Sequence, residues 1–294
     1  LIIKIQEIFM QPKANFNSKT LLVYFVVAYG FSWLLWWPQA LVGQGILPAE
    51  VGTNLGWLFG YAAWGPLLGA FAAAWYELRL EGIKDLLRRA VSLRHGLQWY
   101  LLALFLFPLL IGGSVLMAGA MGEAWPANPT LDETVSGIVA GGAPQEIAVL
   151  MALVVGAVFI FFLGGPLQEE FGWRGLLLDR LQARFSPLWA SILTGLAWGL
   201  WHLPLFFMPR QEMYYQRPLW GLLLSTVLVS IIMTGVYNRT RRSIFMALLL
   251  HTSFNWSHYA FPSLESDTAS LILFGLMGLA AAIFIWRQRM WEKQ

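Results

Sequence analysis

Between residues 164 and 175 the chain reads GGPLQEEFGWRG, placing two adjacent carboxylates and an arginine directly after the apolar run IAVLMALVVGAVFIFFLGGPL. On a helix Glu170 and Arg174 stand four residues apart on one face and can pair. Glu169 points about 100° away from Glu170 and is free for a different partner. A second polar residue, His202 in LAWGLWHLPLFF, lies fifteen residues past the start of an apolar run, about 22 Å along it by helical rise. Pro204 is expected to disturb the hydrogen bond to the Leu200 carbonyl and to bend the helix beside the imidazole. In ALLLHTSFNWSHYAF, His251 and Asn255 share one helix face, and His258 follows on the same side.

Each group has an ordinary explanation: a loop next to a membrane span, a satisfied buried imidazole, polar glue between helices. Together, within 87 residues, they supply more. An imidazole orients or activates water, a carboxylate takes its proton, and an amide NH₂ donates to a developing oxyanion. Those are the parts needed to hydrolyse an amide. The competing assembly is zinc held by Glu, His and His with one position open for water, although the H-E-x-x-H spacing is absent.

The elements that must carry these residues are apolar. The chain has 294 residues, 58% hydrophobic and only 12% charged, against roughly 25% charged in soluble domains. Eight runs are long enough to cross a hydrocarbon core of about 30 Å as helices: 20–43, 54–77, 98–120, 147–167, 187–208, 218–237, 242–261 and 268–286. With the N-terminus cytoplasmic, seventeen of the 19 Lys and Arg fall on the inside, and only Arg210 and Arg217 fall outside. Acidic residues divide evenly, as the positive-inside rule requires. The reading is an all-α, polytopic helix bundle with both termini cytoplasmic, a single domain over 1–294 with its motif-bearing core at about 147–261, integral to the plasma membrane and in contact with lipid.

No cysteine is present, which excludes disulfides, thiolate metal sites and a cysteine nucleophile. The segment LIIKIQEIFMQPKANFNSKT is too polar for a secretory signal peptide. Basic charge lies in the inside loops and fits anionic headgroups; nothing resembles a nucleic-acid reader. The gap at 78–96, with Leu80, Ile83, Leu86, Leu87 and Ala90 at helical spacing, is expected to lie as an amphipathic helix on the cytoplasmic surface. The gap at 121–146, with PANP and GGAP, reads as a loop or lid. Gly65, Gly69 and Ala73, and Gly195 with Gly199, are assigned to close helix packing. Trp33, Trp36, Trp37, Trp286 and Trp291 are read as anchors or packing residues.

Three motifs in order, Glu-Glu-x-x-x-Arg at 169–174, an aromatic four residues before His at 198–202 and His-x-x-x-Asn at 251–255, resemble the CPBP family, the type II CAAX prenyl proteases and their bacteriocin-processing or immunity relatives. The resemblance covers about 165–256. It implies an intramembrane endopeptidase acting on a membrane-associated peptide or protein that can be prenylated, without a metal. Glu169 would be the general base, His202 its partner on the nucleophilic water, and His251 with Asn255 would stabilise the oxyanion. Glu170 and Arg174 would neutralise charge and fix their helix. Trp198 stands where the family usually has Phe, and His258 matches no motif.

The span boundaries leave Glu169 at the cytoplasmic edge and His202 deep, too far apart to share a water. A longer or tilted fourth helix running on through GLLLDRL would carry the Glu pair into the bilayer beside a water-filled cavity open to the cytoplasm. A transporter and a non-catalytic immunity or scaffold protein of the same fold are the rival functions; the symmetric broken helices of a transporter are not seen in the sequence.

Overall fold

The computed structural model describes residues 16–293, so the expectations for Lys4, Lys13 and the N-terminal segment before residue 16 lie outside the described residues. The described residues form helices joined by turns and short connections, with no strand among them. Helix α1 (Ser18–Gly43) starts where the Asn17 side chain accepts from the Lys19 and Thr20 amides at 3.0 and 3.4 Å, satisfying donors a helix start leaves open. Helix α2 (Ala49–Leu55), a 3₁₀ segment (Gly56–Trp64) and α3 (Gly65–Ala90) follow. Then come α4 (Leu97–Ala120), α5 (Pro129–Ala140) and α6 (Gln145–Leu163).

The motif region begins with α7 (Pro166–Gly172), which passes through a π-helical turn (Trp173–Leu178) into α8 (Asp179–Gln182). Helix α9 (Pro187–Trp201) ends in a 3₁₀ turn (Leu203–Phe207), and α10 (Leu219–Arg239) and α11 (Ile244–Ala260) follow. A 3₁₀ turn (Ser263–Glu265) and α12 (Asp267–Gln288) complete the order. Proline in the first turn of α5, α7 and α9 gives up only an amide with no helical partner. Ser186 and Ser243 cap α9 and α11.

Among the described residues, seven helical stretches are long and apolar enough to cross a membrane: Ser18–Gly43, Ala49–Ala90, Leu97–Ala120, Gln145–Gln182, Pro187–Phe207, Leu219–Arg239 and Asp267–Gln288. The eighth expected run, 242–261, forms the shorter helix α11 of 17 residues, which packs into the centre of the bundle and buries His251 and Ser253. The main apolar core among the described residues reaches from Tyr24 to Met290, with smaller clusters at Val115, Ala118 and Ala269 and at Val135, Ala148 and Ala152. Close approach of α1 and α3 depends on Gly65 and Gly69, where an added Cβ would strike Ser32 Oγ and the Ala28 backbone in the first case and Ala28 Cβ in the second. Gly195 plays the same part against Val227 of α10.

Two local expectations are corrected and two are refined. The 121–146 gap is not a plain loop: PANP makes Asn128 the cap and Pro129 the first residue of α5, and the Asn128 side chain accepts from the Leu131 amide at 3.3 Å. The 78–96 gap does hold a helix, set off from the apolar part of α3 by a sharp kink at Arg79 (φ 55°), and its inner face buries Gly82, Leu86 and Arg89 against the protein. Pro204 ends α9 rather than bending it, with His202 as the last residue before the 3₁₀ turn. Trp33 and Trp36, read as anchors or packing residues, are packing residues. They face inward: Trp33 Nε1 donates to the Trp201 carbonyl at 3.0 Å, and the Trp36 ring lies 4.7 Å from Trp201.

Candidate active site

The fourth apolar run does not continue as one helix. It breaks at Gly164 and Gly165 after α6 and restarts as α7, with Gly165 at φ 114°, open to glycine and strained for other residues. Broken backbone at membrane depth is tolerated only where protein covers it. Every residue from Gln168 to Arg180 is buried. Glu169 is 5% exposed and Glu170 and Arg174 are fully buried, so the carboxylate pair lies inside the protein and not in a solvated loop. Gln168 Oε1 accepts from the Gly165 amide at 3.1 Å and so pins the break.

On α7 the two carboxylates divide as helical spacing predicts. Glu170 Oε1 accepts from Arg174 Nη1 at 2.7 Å. His251 Nδ1 of α11 lies 2.7 Å from the same oxygen and donates to it, since a carboxylate only accepts. Glu169 faces the other way. Its Oε2 accepts from Trp198 Nε1 at 2.6 Å and from Trp173 Nε1 at 3.1 Å. Among the described residues no donor reaches Oε1. That oxygen borders Gly165: a Cβ there would sit 2.8 Å from Glu169 Oε1 and 3.3 Å from Asn255 Nδ2, so the two atoms are within about 6 Å of each other. Asn255 Nδ2 donates to the Gly164 carbonyl at 2.9 Å, tying α11 to the break and leaving its second amide hydrogen free to donate elsewhere.

The Trp198 ring is the shared neighbour. Its ring centre lies 5.0 Å from that of His251 and 6.5 Å from that of His202, and the Arg174 guanidinium lies over it at 4.8 Å. His202 Nδ1 donates to the Trp198 carbonyl at 2.9 Å, because a carbonyl can only accept, which leaves Nε2 as the acceptor nitrogen of the neutral ring. Trp201 packs edge-on at 4.7 Å, and Tyr214 stacks on the imidazole at 5.5 Å with 18° between the planes. Burial raises the Tyr214 phenol above its usual range, so the ring stays neutral.

The fold therefore gathers Glu169, Glu170, Arg174, Trp198 and His251 in direct contact, with Asn255 at the rim and His202 joined through Trp198. Among the described residues no hydrogen bond links His202 to Glu169 or His251. His258 stays apart, with Phe254 and Ser263 as partners. Trp173, Tyr214 and Gly165 were missed in the sequence. Trp173 follows Glu169 by four residues, a spacing that could have revealed it; Tyr214 stands in an aperiodic segment with no local signal.

Behind the site lies a second buried polar cluster. Arg89 Nη1 donates to Asp179 Oδ2 and to Tyr237 Oη, each at 2.7 Å, and Nη2 donates to the Gly175 carbonyl at 2.7 Å. Arg180 forks onto Glu77 Oε2 at 2.7 and 3.0 Å. Both arginines had counted as surface charges of the inside loops. Instead they brace the motif helix against α3 and α10.

Residues 150–257 match the family described as Type II CAAX prenyl endopeptidase Rce1-like. The "CAAX prenyl protease 2" of Methanococcus maripaludis is 33% identical to the chain over 149 residues, 49% of this chain and 51% of that relative. The chain thus spans about half the length of the curated relative it matches.

Proposed function

We propose, from the premise that residues 150–257 are an Rce1-like segment of the type II CAAX prenyl endopeptidase family, that the protein is an intramembrane endopeptidase using water activated by Glu169 and His202. The observation that carries this reading is the state of the Glu169 carboxylate. Two indoles hold Oε2, and the other oxygen borders the amide of Asn255 across Gly165.

In the proposed reaction a water donates one hydrogen bond to His202 Nε2 and gives its other proton to Glu169 Oε1 as its oxygen attacks the scissile carbonyl carbon. The carbonyl oxygen becomes an oxyanion, which accepts from the second amide hydrogen of Asn255. His251 donates its Nδ1 hydrogen to Glu170 and is thereby held beside the oxyanion site. The C–N bond then breaks as Glu169 returns its proton to the leaving amine, restoring the carboxylate. Glu170 and Arg174 take no proton; their ion pair sets His251 and removes net charge from the buried site.

Donor occupancy supports the metal-free form. Glu170 faces a guanidinium and Glu169 Oε2 accepts from two N–H groups, so of the two carboxylates only Glu169 Oε1 is left without a donor among the described residues. No three His, Asp or Glu side chains among the described residues converge as metal ligands. The substrate class follows the relative's description, a prenylated C-terminal tail, and the positive-inside bias supports cytoplasmic termini with a site reached from that side of the cell membrane.

The test is cleavage of farnesylated and unmodified CAAX-type peptides by the purified protein in detergent, comparing wild type with Glu169→Gln, with and without chelator. The expected result is cleavage that survives chelation and falls at least about 1,000-fold in the variant. Loss with chelator would restore zinc. Folded wild-type protein that cleaves neither peptide would favour the non-catalytic scaffold.

A further inference from the structure

His202 Nδ1 is held by one hydrogen bond, to the Trp198 carbonyl. One hydrogen bond fixes the direction of one ring atom and leaves the ring free to tip about that direction. Trp201 of α9 meets the ring edge-on at 4.7 Å, and the constraint on its flat face comes from outside the helices. Between the 3₁₀ turn at Leu203–Phe207 and α10, the segment 208–218 has no helix, yet it is tied down at both ends. At its start Gln44 Nε2 donates to the Phe207 carbonyl at 2.8 Å. Pro209 packs so closely over Gly43 that an added Cβ there would lie 2.6 Å from Pro209 Cδ. At its end Arg217 donates to the Leu264 carbonyl at 2.8 Å and pairs with Glu265 at 3.1 Å, joining the segment to the turn that follows the His251 helix.

Between these ties a tight turn, with the Tyr214 and Tyr215 amides both donating to the Gln211 carbonyl at 2.8 Å, leaves Glu212 and Met213 exposed. Tyr214 is half-buried, nearly parallel to the imidazole, with Phe206 edge-on behind it at 5.6 Å. No hydrogen bond of its hydroxyl is found among the described residues, so its contact with the site is the ring face alone.

We propose that Tyr214 is a positioning residue for His202: its ring clamps the imidazole plane so that Nε2 points at the hydrolytic water, a role that rests on the endopeptidase reading. The hydroxyl is dispensable and the aromatic face is required. Stacking also covers one face of His202.

Two measurements on the full-length protein in detergent test this, using wild type, Tyr214→Phe and Tyr214→Leu. The first is carbethoxylation by diethyl pyrocarbonate, with His202 and His258 followed by mass spectrometry. It needs no turnover. The Leu variant is expected to label His202 severalfold faster with His258 unchanged, and the Phe variant to match wild type. The second is cleavage of a quenched farnesylated peptide, where the Leu variant is expected to lose at least about tenfold in kcat with KM nearly unchanged and Phe to restore it. Equal His202 labelling in all three proteins, or a Phe variant that behaves like Leu, overturns the assignment. Absence of cleavage even by wild type defeats the endopeptidase reading instead, while the labelling still decides the stack.

Discussion

Trp198 and Trp173 aim both their N–H groups at one oxygen of Glu169. A hydrogen bond to a charged acceptor contributes about 1.5–3 kcal/mol, and two such bonds on one oxygen hold the carboxylate in one rotamer. Trp198 also puts its ring under the Arg174 guanidinium. Replacing it by Phe, the residue usual in the family it resembles, keeps a ring there and removes one donor. Trp198→Phe is expected to fold normally and to lower kcat by about tenfold with little change in KM, the equivalent of about 1.4 kcal/mol. Steady-state kinetics on the farnesylated peptide checks this; an unchanged kcat would take the indole out of the reaction. The Glu170–Arg174 pair was legible from its four-residue spacing, while the Trp198–Glu169 bond, 29 residues apart, was not.

At the scale of elements, the break between α6 and α7 turns a membrane-spanning run into a site. A straight helix through 164–165 would keep the Gly164 carbonyl in its own ladder, unavailable to Asn255, and would carry Glu169 on a continuous cylinder. Gly165 at φ 114° reorients the chain, and Asn255 and Gln168 side chains occupy the Gly164 carbonyl and the Gly165 amide. Gly165→Ala adds about 1–3 kcal/mol of backbone strain and places a methyl group 2.8 Å from Glu169 Oε1. The expected outcome is a lower thermal unfolding midpoint and loss of peptide cleavage. A variant as stable and active as wild type would mean that the break does not shape the site. Just beyond it, the π-helical turn over Trp173–Leu178 is wholly buried, a local widening often met at functional sites.

Across the whole molecule, buried ion pairs brace what apolar packing cannot orient. Arg89 joins α3 to Asp179 at the far end of the motif helix and to Tyr237 of α10, and its Nε lies 2.9 Å from Asp85. Removing one partner of such a buried pair costs about 3–5 kcal/mol, because the other charge stays behind. Arg89→Met is expected to lower the unfolding midpoint in detergent sharply, and an unchanged midpoint would show the cluster to be incidental. The apolar runs and the polar residues of the three motifs could be read along the chain. Each is set by neighbours within a turn or two, or by the need of long apolar stretches to leave water. The break at Gly165, the burial of Arg89 and Arg180, the helix inside 121–146 and the stack of Tyr214 on His202 belong to the folded chain. Arg89 meets Asp179 across 90 positions, and His251 meets Glu170 across 81. A carboxylate or guanidinium looks alike in sequence whether it faces water or a buried partner, and which it faces depends on helices that arrive from elsewhere in the chain.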